Sequence, residues 1–472
     1  MDTKKLRQKV LDLAIRGKLV PQDPNDEPAS VLLQRIQEEK ERLIKEGKIK
    51  RDKKSDTFHY QKSITNCQLR ITNEEVPFEI PESWVWCRLG EIAFLKAGYF
   101  VKAEDIKNEY QDKLFPCYGG NGLRGYVETF THEGLYSLIG RQGALCGNIN
   151  LAKGKFHATE HAVVSTPYGN INSLWFFYTL RTLNLNQYST GAAQPGLSVE
   201  KINQVFIPLP PLQEQHRIVQ KIDKCFAFID QIEENKLSLF QFIKQTKSKV
   251  LDLAIRGKLV PQDPNDEPAS VLLENIENER KTKKPTACIL HYPFEVPEGW
   301  VWKKILNVSN SIQYGYTGSA ISIGKYKMLR ITDIQDNSVD WATVPFVEID
   351  DKKAEIYLLS NNDIVFARTG ATVGKSFLIK HLKEKSVFAS YLIRIQLKEK
   401  LNSQYVKYFF ESDYYWEQIE DKSVGTGQPN VNGSLLGELE IPIPPFSEQH
   451  RIVTKIEQIF AQLDEIENAI KA

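Results

Sequence analysis

The sequence predicts an α+β protein made of two copies of one unit, in pseudo-twofold arrangement and spaced by a long helical coiled coil. Three observations carry that prediction. Residues Lys9 to Leu33 read KVLDLAIRGKLVPQDPNDEPASVLL, and the same 25 residues recur unchanged from Lys249 to Leu273. A long internal repeat at a fixed offset sets the architecture before any local signal does. Apolar residues between Gln213 and Arg256 fall on alternating steps of four and three, the spacing that keeps a narrow stripe facing a partner helix. Between the repeated parts lie two diverged inserts, 86–207 and 302–441, where short apolar or β-branched runs alternate with Gly, Asn and Asp turns. That texture is expected of a strand-rich α+β domain.

The chain opens on helix, with Leu6, Val10 and Leu13 on one stripe. The main seam is Ile218, Ile222, Cys225, Ile229, Ile232, Leu239, Ile243, Val250 and Leu253, interrupted at Lys236 and Thr246. Ile452, Ile456, Ile459, Leu463, Ile466 and Ile470 repeat it at the C-terminal end. One amphipathic helix lying on a globular core is the alternative, but sustained heptads favour a coiled coil. Two more matches flank the inserts. VPFEIPESWVW (Val76 to Trp86) answers YPFEVPEGWVW (Tyr292 to Trp302), and IPLPPLQEQHRIVQKID (Ile207 to Asp223) answers IPIPPFSEQHRIVTKIE (Ile441 to Glu457). By these offsets Ala472 corresponds to Ser238 and Met1 to Gln241. The two terminal helices are therefore expected to rebuild a copy of the central one, with adjoining termini and tolerance of circular permutation.

Each helix leads into RGKLVPQDPNDEPASVLL. Gly17 and Gly257 are placed to cap the helix C-terminus, and Pro21, Pro24, Pro261 and Pro264 forbid its continuation. A short helix then restarts at Pro28 or Pro268, with Asp26 or Asp266 near its N-terminus. The charged stretches 38–56 and 277–285 read as solvated linkers, with a phosphate-contacting arm as the alternative.

Within the inserts, GLYSLIG, FHATEHAVVST, DIVFART and SVFASYLIRIQL read as strands. SLWFFYTLRTL (Ser173 to Leu183) and QYVKYFFESDYYW (Gln404 to Trp416) read as helical stretches whose rings serve the core. Two loops correspond between the inserts. GRQGALCG (Gly140 to Gly147) and ARTGATVG (Ala367 to Gly374) share Arg-x-Gly-x-x-x-Gly, and STGAAQPGL (Ser189 to Leu197) parallels SVGTGQPNV (Ser423 to Val431). Glycine permits a sharp turn or a close ligand approach, and neighbouring Arg, Gln, Asn and Lys can pair with base edges or phosphates. Tight turns alone would also explain the glycines; the recurrence in two diverged inserts favours function.

Several catalytic signatures fail. HATEH (His157 to His161) has the His-x-x-Glu-His spacing of some zinc proteases, which needs a helix, yet its surroundings suit a strand. GATVGKS (Gly370 to Ser376) has three residues between its glycines where a phosphate loop requires four. Neither insert offers a convincing Gly-x-Gly-x-x-Gly after a strand, and no Asn/Asp-Pro-Pro-aromatic tetrapeptide is present. The bulk figures exclude further classes. At 472 residues there is room for two to four domains, each able to bury a core. A net charge of +1 makes any nucleic-acid surface local. The six cysteines lie far apart with no Cys-x-x-Cys pair, which argues against structural zinc or a disulfide framework and fits a reducing compartment. MDTKKLRQKV lacks the apolar core of a signal peptide, and no apolar run is long enough for a bilayer. A soluble cytoplasmic protein is expected.

Two diverged inserts, each followed by P-L-P-P or P-I-P-P, an E-Q-x-R-I-V helix (Glu214 to Val219; Glu448 to Val453) and LAIRGKLV (Leu13 to Val20; Leu253 to Val260), resemble a type I restriction–modification specificity subunit along essentially the whole chain. The resemblance implies two target-recognition domains spaced by a pair of antiparallel helices, each domain reading half of an asymmetric bipartite site in double-stranded DNA. It implies two methyltransferase subunits that methylate adenine N6 from S-adenosylmethionine, and restriction subunits that cleave and translocate DNA. S-adenosylmethionine, ATP and Mg are then expected in the partner subunits and no cofactor or catalytic residue in this chain. The corresponding divisions are a helical region (1–70), a first recognition domain (71–211), a central helix and connector (212–290), a second recognition domain (291–445) and a C-terminal helix (446–472). Candidate DNA-binding residues are Tyr118, Asn121, Arg124, Arg141, Gln142 and Gln194 in the first domain. In the second they are Arg330, Thr332, Asp333, Arg368, Thr369, Lys375, Gln428 and Asn430. The seam from Ile218 to Leu253, roughly 50 Å at about 1.5 Å per residue, suits readers about 34 Å apart on one face of a duplex. A specificity protein serving a fused nuclease–methyltransferase, and a scaffold with two non-DNA ligand modules, are the alternatives.

Overall fold

The structure is a computed structural model that describes residues 2–49, 76–143, 145–191, 195–277, 292–335, 337–370, 372–423 and 431–471. The chain divides into two compact units, Met1–Asn235 and Lys236–Ala472. Among the described residues no helix is long and apolar enough to cross a membrane.

The first unit begins with α1 (Thr3–Ile15) and α2 (Ala29–Lys45). Its insert comprises β1 (Val85–Arg88), α3 (Leu89–Ile92), β2 (Ala93–Ala97), β3 (Phe115–Gly119), β4 (Gly122–Val127), β5 (His132–Gly140), β6 (Ile149–Ala158) and β7 (Ala162–Pro167). It ends with α4 (Ser173–Thr182), α5 (Val199–Asn203) and β8 (Phe206–Leu209), then enters α6 (Leu212–Ile255), a continuous helix of 44 residues that runs into the second unit. Six strands form one sheet in the order β2-β7-β5-β6-β3-β4. β1 and β8 form a separate antiparallel ribbon, Trp86 opposite Pro208, so the two repeated segments flanking the insert meet and close its base.

The second unit continues with α7 (Ala269–Glu277), β9 (Val301–Lys304), α8 (Ile305–Val308), β10 (Ser309–Tyr314), β11 (Ala320–Ile321), β12 (Tyr326–Leu329), β13 (Ile334–Gln335), β14 (Ser338–Val339), β15 (Phe346–Val347) and α9 (Asp351–Tyr357). Next come β16 (Ile364–Ala367), β17 (Ser376–Leu378), β18 (Ser386–Phe388), β19 (Leu392–Leu397), α10 (Ser403–Phe409), α11 (Asp413–Ser423), α12 (Gly433–Gly437), β20 (Glu440–Ile443) and α13 (Phe446–Lys471). The order β10-β19-β16-β17 reproduces β2-β7-β5-β6. β12 pairs in parallel with β18 as β3 does with β6. The diverged inserts share this core strand order, although the second divides it between two four-stranded sheets, β10-β19-β16-β17 and β11-β15-β12-β18, and β20 with β9 again closes the base.

Each unit holds its own helix pair. In the first, Arg7 reaches Asp230 and Glu233 (3.1 Å to the latter), while Leu11, Ala14 and Ile15 meet Ile218 and Ile222, so α1 runs antiparallel to the start of α6. In the second, Lys236 Nζ donates to the Ile470 carbonyl at 3.0 Å and Lys247 pairs with Asp464 at 2.5 Å. Val250 and Ile255 share a core with Ile452 and Ile456, again antiparallel. Ile218, Ile222, Ile229, Ile243 and Val250 of the expected seam are buried, but Leu239 is exposed. Near the end of α6 the buried face moves from Leu253 to Leu251, Ala254 and Ile255, because there the helix also covers Trp300 and Ile305 of the strand-bearing body.

Three local expectations change. The charged stretch from Glu38 is helical through Lys45, because Leu32, Leu33 and Ile36 bury one face of α2 and Lys40 Nζ donates to the Gly90 carbonyl at 2.8 Å. Residues 46–49 follow as a turn, and 50–56 lie outside the described residues, as do 278–285. The stretch 404–416 is two helices, α10 and α11, because the Ser412 hydroxyl accepts the Tyr415 N–H at 3.3 Å and acts as an N-cap. Asp26 makes no cap of α2, whose N-cap position is Pro28 without a side-chain bond; its carboxylate is taken by Arg217. The glycine caps hold. Gly17 and Gly257 have φ of +65° and +66°, and the Lys18 and Lys258 amides donate back to Leu13 and Leu253 at 2.9 and 2.8 Å, the six-to-one bond of a Schellman end.

Candidate functional site

The repeated Glu-Gln-His-Arg tetrads sit where each helix leaves the insert, and all four side chains have the same partners in both units. Glu214 is fully buried and accepts from Trp84 Nε1 at 2.9 Å and Gln22 Nε2 at 2.6 Å; Glu448 accepts from Trp300 at 2.9 Å and Gln262 at 2.5 Å. Burial pushes both carboxyls above the ordinary glutamate value, against the two hydrogen bonds each accepts. Gln215 accepts from the Asn172 amide and donates to the Pro210 carbonyl, as Gln449 does with Asn402 and Pro444. His216 meets the Asn172 side chain at 2.9 Å and His450 meets Asn402 at 3.2 Å. Arg217 forks onto Asp26 and Arg451 onto Asp266, at 3.1 and 2.5 Å in each case. Every polar partner is internal. The tetrad is a joint that fixes the insert on the helix.

The variable loops converge elsewhere. In the first unit the Arg141 amide donates to the His161 carbonyl at 2.9 Å, and its carbonyl accepts from Leu197 at 2.9 Å. In the second unit Arg368 does the same with Tyr391 (3.0 Å) and Val431 (3.4 Å). Two loops distant in sequence are thus tied together around one arginine in each insert. The turn between is closed alike, Gly147 to Gly140 at 2.7 Å and Gly374 to Ala367 at 2.9 Å. The two glycines of each turn differ in purpose. A Cβ on Gly147 would meet the Asn186 backbone at 2.4 Å, and one on Gly374 the Trp416 ring at 2.9 Å, whereas Gly143 and Gly370 face open space. The first pair seats the turn on the body; the second leaves the backbone accessible.

In the first unit Asn121, Arg124 and Gln142 line one open concavity of about 470 Å³ with Gly119, Gly120, Gly122, Leu123, Gly143 and His161. Asn121, Arg124 and Gln142 are exposed. Around it Asn150 Nδ2, Thr159 Oγ1 and His161 Nδ1 are buried with no hydrogen-bond partner among the described residues. Tyr118 stands apart, its ring edge-on to Phe156 at 5.8 Å and its phenol pushed up by burial. In the second unit Arg330 follows β12 and is bound by Asp333 through Nε at 3.0 Å and Nη2 at 2.7 Å, so the two candidates occupy each other. Thr332, Thr369 and Lys375 are exposed. Gln194, Gln428 and Asn430 lie outside the described residues.

Residue types alone did not mark several side chains at these loops. His161 and Tyr391 hold one position in the two frames; Tyr391 is 63% exposed. Tyr314, at the end of β10, stacks under the Arg368 guanidinium with 5.0 Å to the ring centroid. Tyr99 and Phe100 follow β2, Phe100 being 73% exposed. The repeated Gly-Tyr of 98–99 and 315–316 was the available signal: both glycines press against backbone carbonyls, those of Ala158 and Ala389. Neither histidine of HATEH lies on a helix. His157 lies in β6, bonded to Thr129, and His161 lies in the following turn, its Nε2 3.2 Å from Glu160. Among the described residues no cluster of His, Cys, Asp or Glu could hold a metal ion.

Comparison with known proteins places these units. The type I restriction modification DNA specificity domain matches residues 81–239 and 297–472, so the chain belongs to the type I restriction–modification DNA specificity family. The EcoAI specificity subunit of Escherichia coli is 27% identical over 99% of this chain and 90% of its own length. The Escherichia coli EcoprrI specificity subunit is 44% identical over 31% of this chain and 37% of its own. The fold matches the HsdS subunit of Thermoanaerobacter tengcongensis with a TM-score of 0.52 at 16% identity, over 83% of this chain and 93% of that one. A chain from a structural study of type I system assembly and conformational transition gives 0.54 at 16% identity, over 84% and 94%.

Proposed function

We propose that this chain is the DNA-reading, non-catalytic subunit of a type I complex, in which each insert reads one half of an asymmetric bipartite duplex site. Partner methyltransferase subunits then modify adenine N6 at that site, and restriction subunits act on DNA lacking the mark. One observation carries this reading: two inserts of different sequence present an arginine loop, held by the same backbone bonds, on an identical joint. A repeated joint with variable loops suits a protein whose attachment is fixed while its target varies. Exposed Asn, Gln and Arg side chains beside open glycines are the donors and acceptors that base edges require. S-adenosylmethionine, ATP and Mg belong to the partners in this proposal. We also propose that α6 sets the number of unread bases between the half-sites.

The test is affinity for duplex DNA across a salt series with the methyltransferase partner present. Counterion release makes binding weaken steeply as salt rises, and one split sequence should outcompete others. Salt-independent binding, or none, would favour a scaffold for a non-DNA ligand.

A further inference from the structure

Arg368 is fixed on several sides yet has no acidic partner among the described residues. Its amide and carbonyl are both bonded, to Tyr391 and Val431. Its guanidinium carbon lies 5.0 Å from the centroid of the Tyr314 ring. Tyr314 is itself pinned: it pairs with Ile393 at the end of β10, and its hydroxyl accepts the Gly433 N–H at 2.9 Å. Arg368 Nε is buried with no hydrogen-bond partner among the described residues. The other arginines of this insert differ, Arg330 being bound by Asp333 and Arg394 paired with Asp363 at 3.6 Å. A guanidinium held against a ring, with no carboxylate partner among the described residues, keeps donors for an incoming acceptor.

The first unit lacks this brace. Ala97 pairs with Val163 as Tyr314 pairs with Ile393, so alanine stands where the ring would be. Different chemistry therefore serves the two inserts behind one backbone frame.

We propose that Tyr314 is a positioning residue that aims Arg368 at O6 and N7 of a guanine in the half-site read by the second unit. The inference rests on the DNA-reading function proposed above. Stacking confines the planar fork before DNA arrives, and less freedom is lost on bonding. Arginine matches the paired acceptors of guanine in the major groove, which no other base presents.

The experiment uses the full-length chain with its methyltransferase partner. The recognised motif is first taken from wild-type methylation, and competitor duplexes then replace each base pair of both half-sites in turn. Arg368→Ala, Tyr314→Leu and Tyr314→Phe are compared. The wild type should disfavour replacement of one G·C pair by roughly five- to a hundredfold. Arg368→Ala should lose that preference, Tyr314→Leu should lose most of it, and Tyr314→Phe, which keeps the ring, should retain it. The other half-site should be read as before. Retained discrimination in Tyr314→Leu overturns the proposal. So does a Phe variant as impaired as Leu, because the Gly433 bond would then be what matters. Equal loss on every sequence would make Arg368 a phosphate contact, and equal loss at both half-sites would make Tyr314 a folding residue; either outcome rejects the assignment. A wild type with no sequence preference would instead sink the DNA-reading function beneath it.

Discussion

At the scale of single residues, Glu214 and Glu448 show what the repeated tetrad is for. Each is a buried carboxyl whose two oxygens are both used by donors. Glu214→Gln turns one acceptor into a donor facing a donor, which should cost about 1–3 kcal/mol of stability in denaturant unfolding. The pH dependence has a definite sign. Burial raises both carboxyls in the folded state, so the folded chain holds protons that the unfolded chain has released. Their contribution therefore falls as pH rises from the ordinary glutamate value of 4.5 to the folded value, and is constant above it. The stability of the wild type minus that of the Glu214→Gln, Glu448→Gln double variant should decline through that window; a rise would contradict the assignment. The repetition of E-Q-H-R was visible in the sequence, but its meaning was not, because its partners Trp84, Gln22, Asn172 and Asp26 are distant in the chain. By side-chain type Arg330 and Asp333 read as two separate DNA contacts, whereas in the fold each is the other's partner. Residue type names what a group can bond, and only the fold says what it already does.

At the scale of elements, the helices were the most legible part. Their apolar spacing follows from helical geometry alone, and the glycine after each helix follows from backbone sterics. Gly17→Ala must hold φ near +65° and set a Cβ 2.4 Å from Pro81 Cγ. A cost of about 1–3 kcal/mol is expected, read as a lowered midpoint of thermal unfolding; an unchanged midpoint would refute the Schellman end. Gly257→Ala should behave alike, since Pro297 stands at the same 2.4 Å. The shared core strand order of the inserts was hidden. Strand order is fixed by backbone partners such as Arg141 with His161 and Arg368 with Tyr391, and backbone bonds leave little imprint on side-chain identity. The long β6 hides the match further, because β17 and β18 divide its role in the second insert.

At the scale of the whole molecule, the duplication was plain from the 25-residue repeat, and it carried the family resemblance that the comparisons bear out. The loops that would decide a target were the least legible, since their sequences differ where their backbone frames agree. The proposed ruler role of α6 has a direct consequence. Inserting one heptad near Asn235 keeps the seam in phase and should lengthen the unread spacer or abolish recognition; an unchanged spacer would remove the helix from that role. The most direct measurement is the adenine methylome of cells carrying this chain with its methyltransferase partner, set against deletion of this gene alone. Loss of methylation at one split, asymmetric motif is the expected result and would give both half-sites at once. Methylation that persists unchanged, with the partner expressed and active, would contradict a DNA-reading role for this chain.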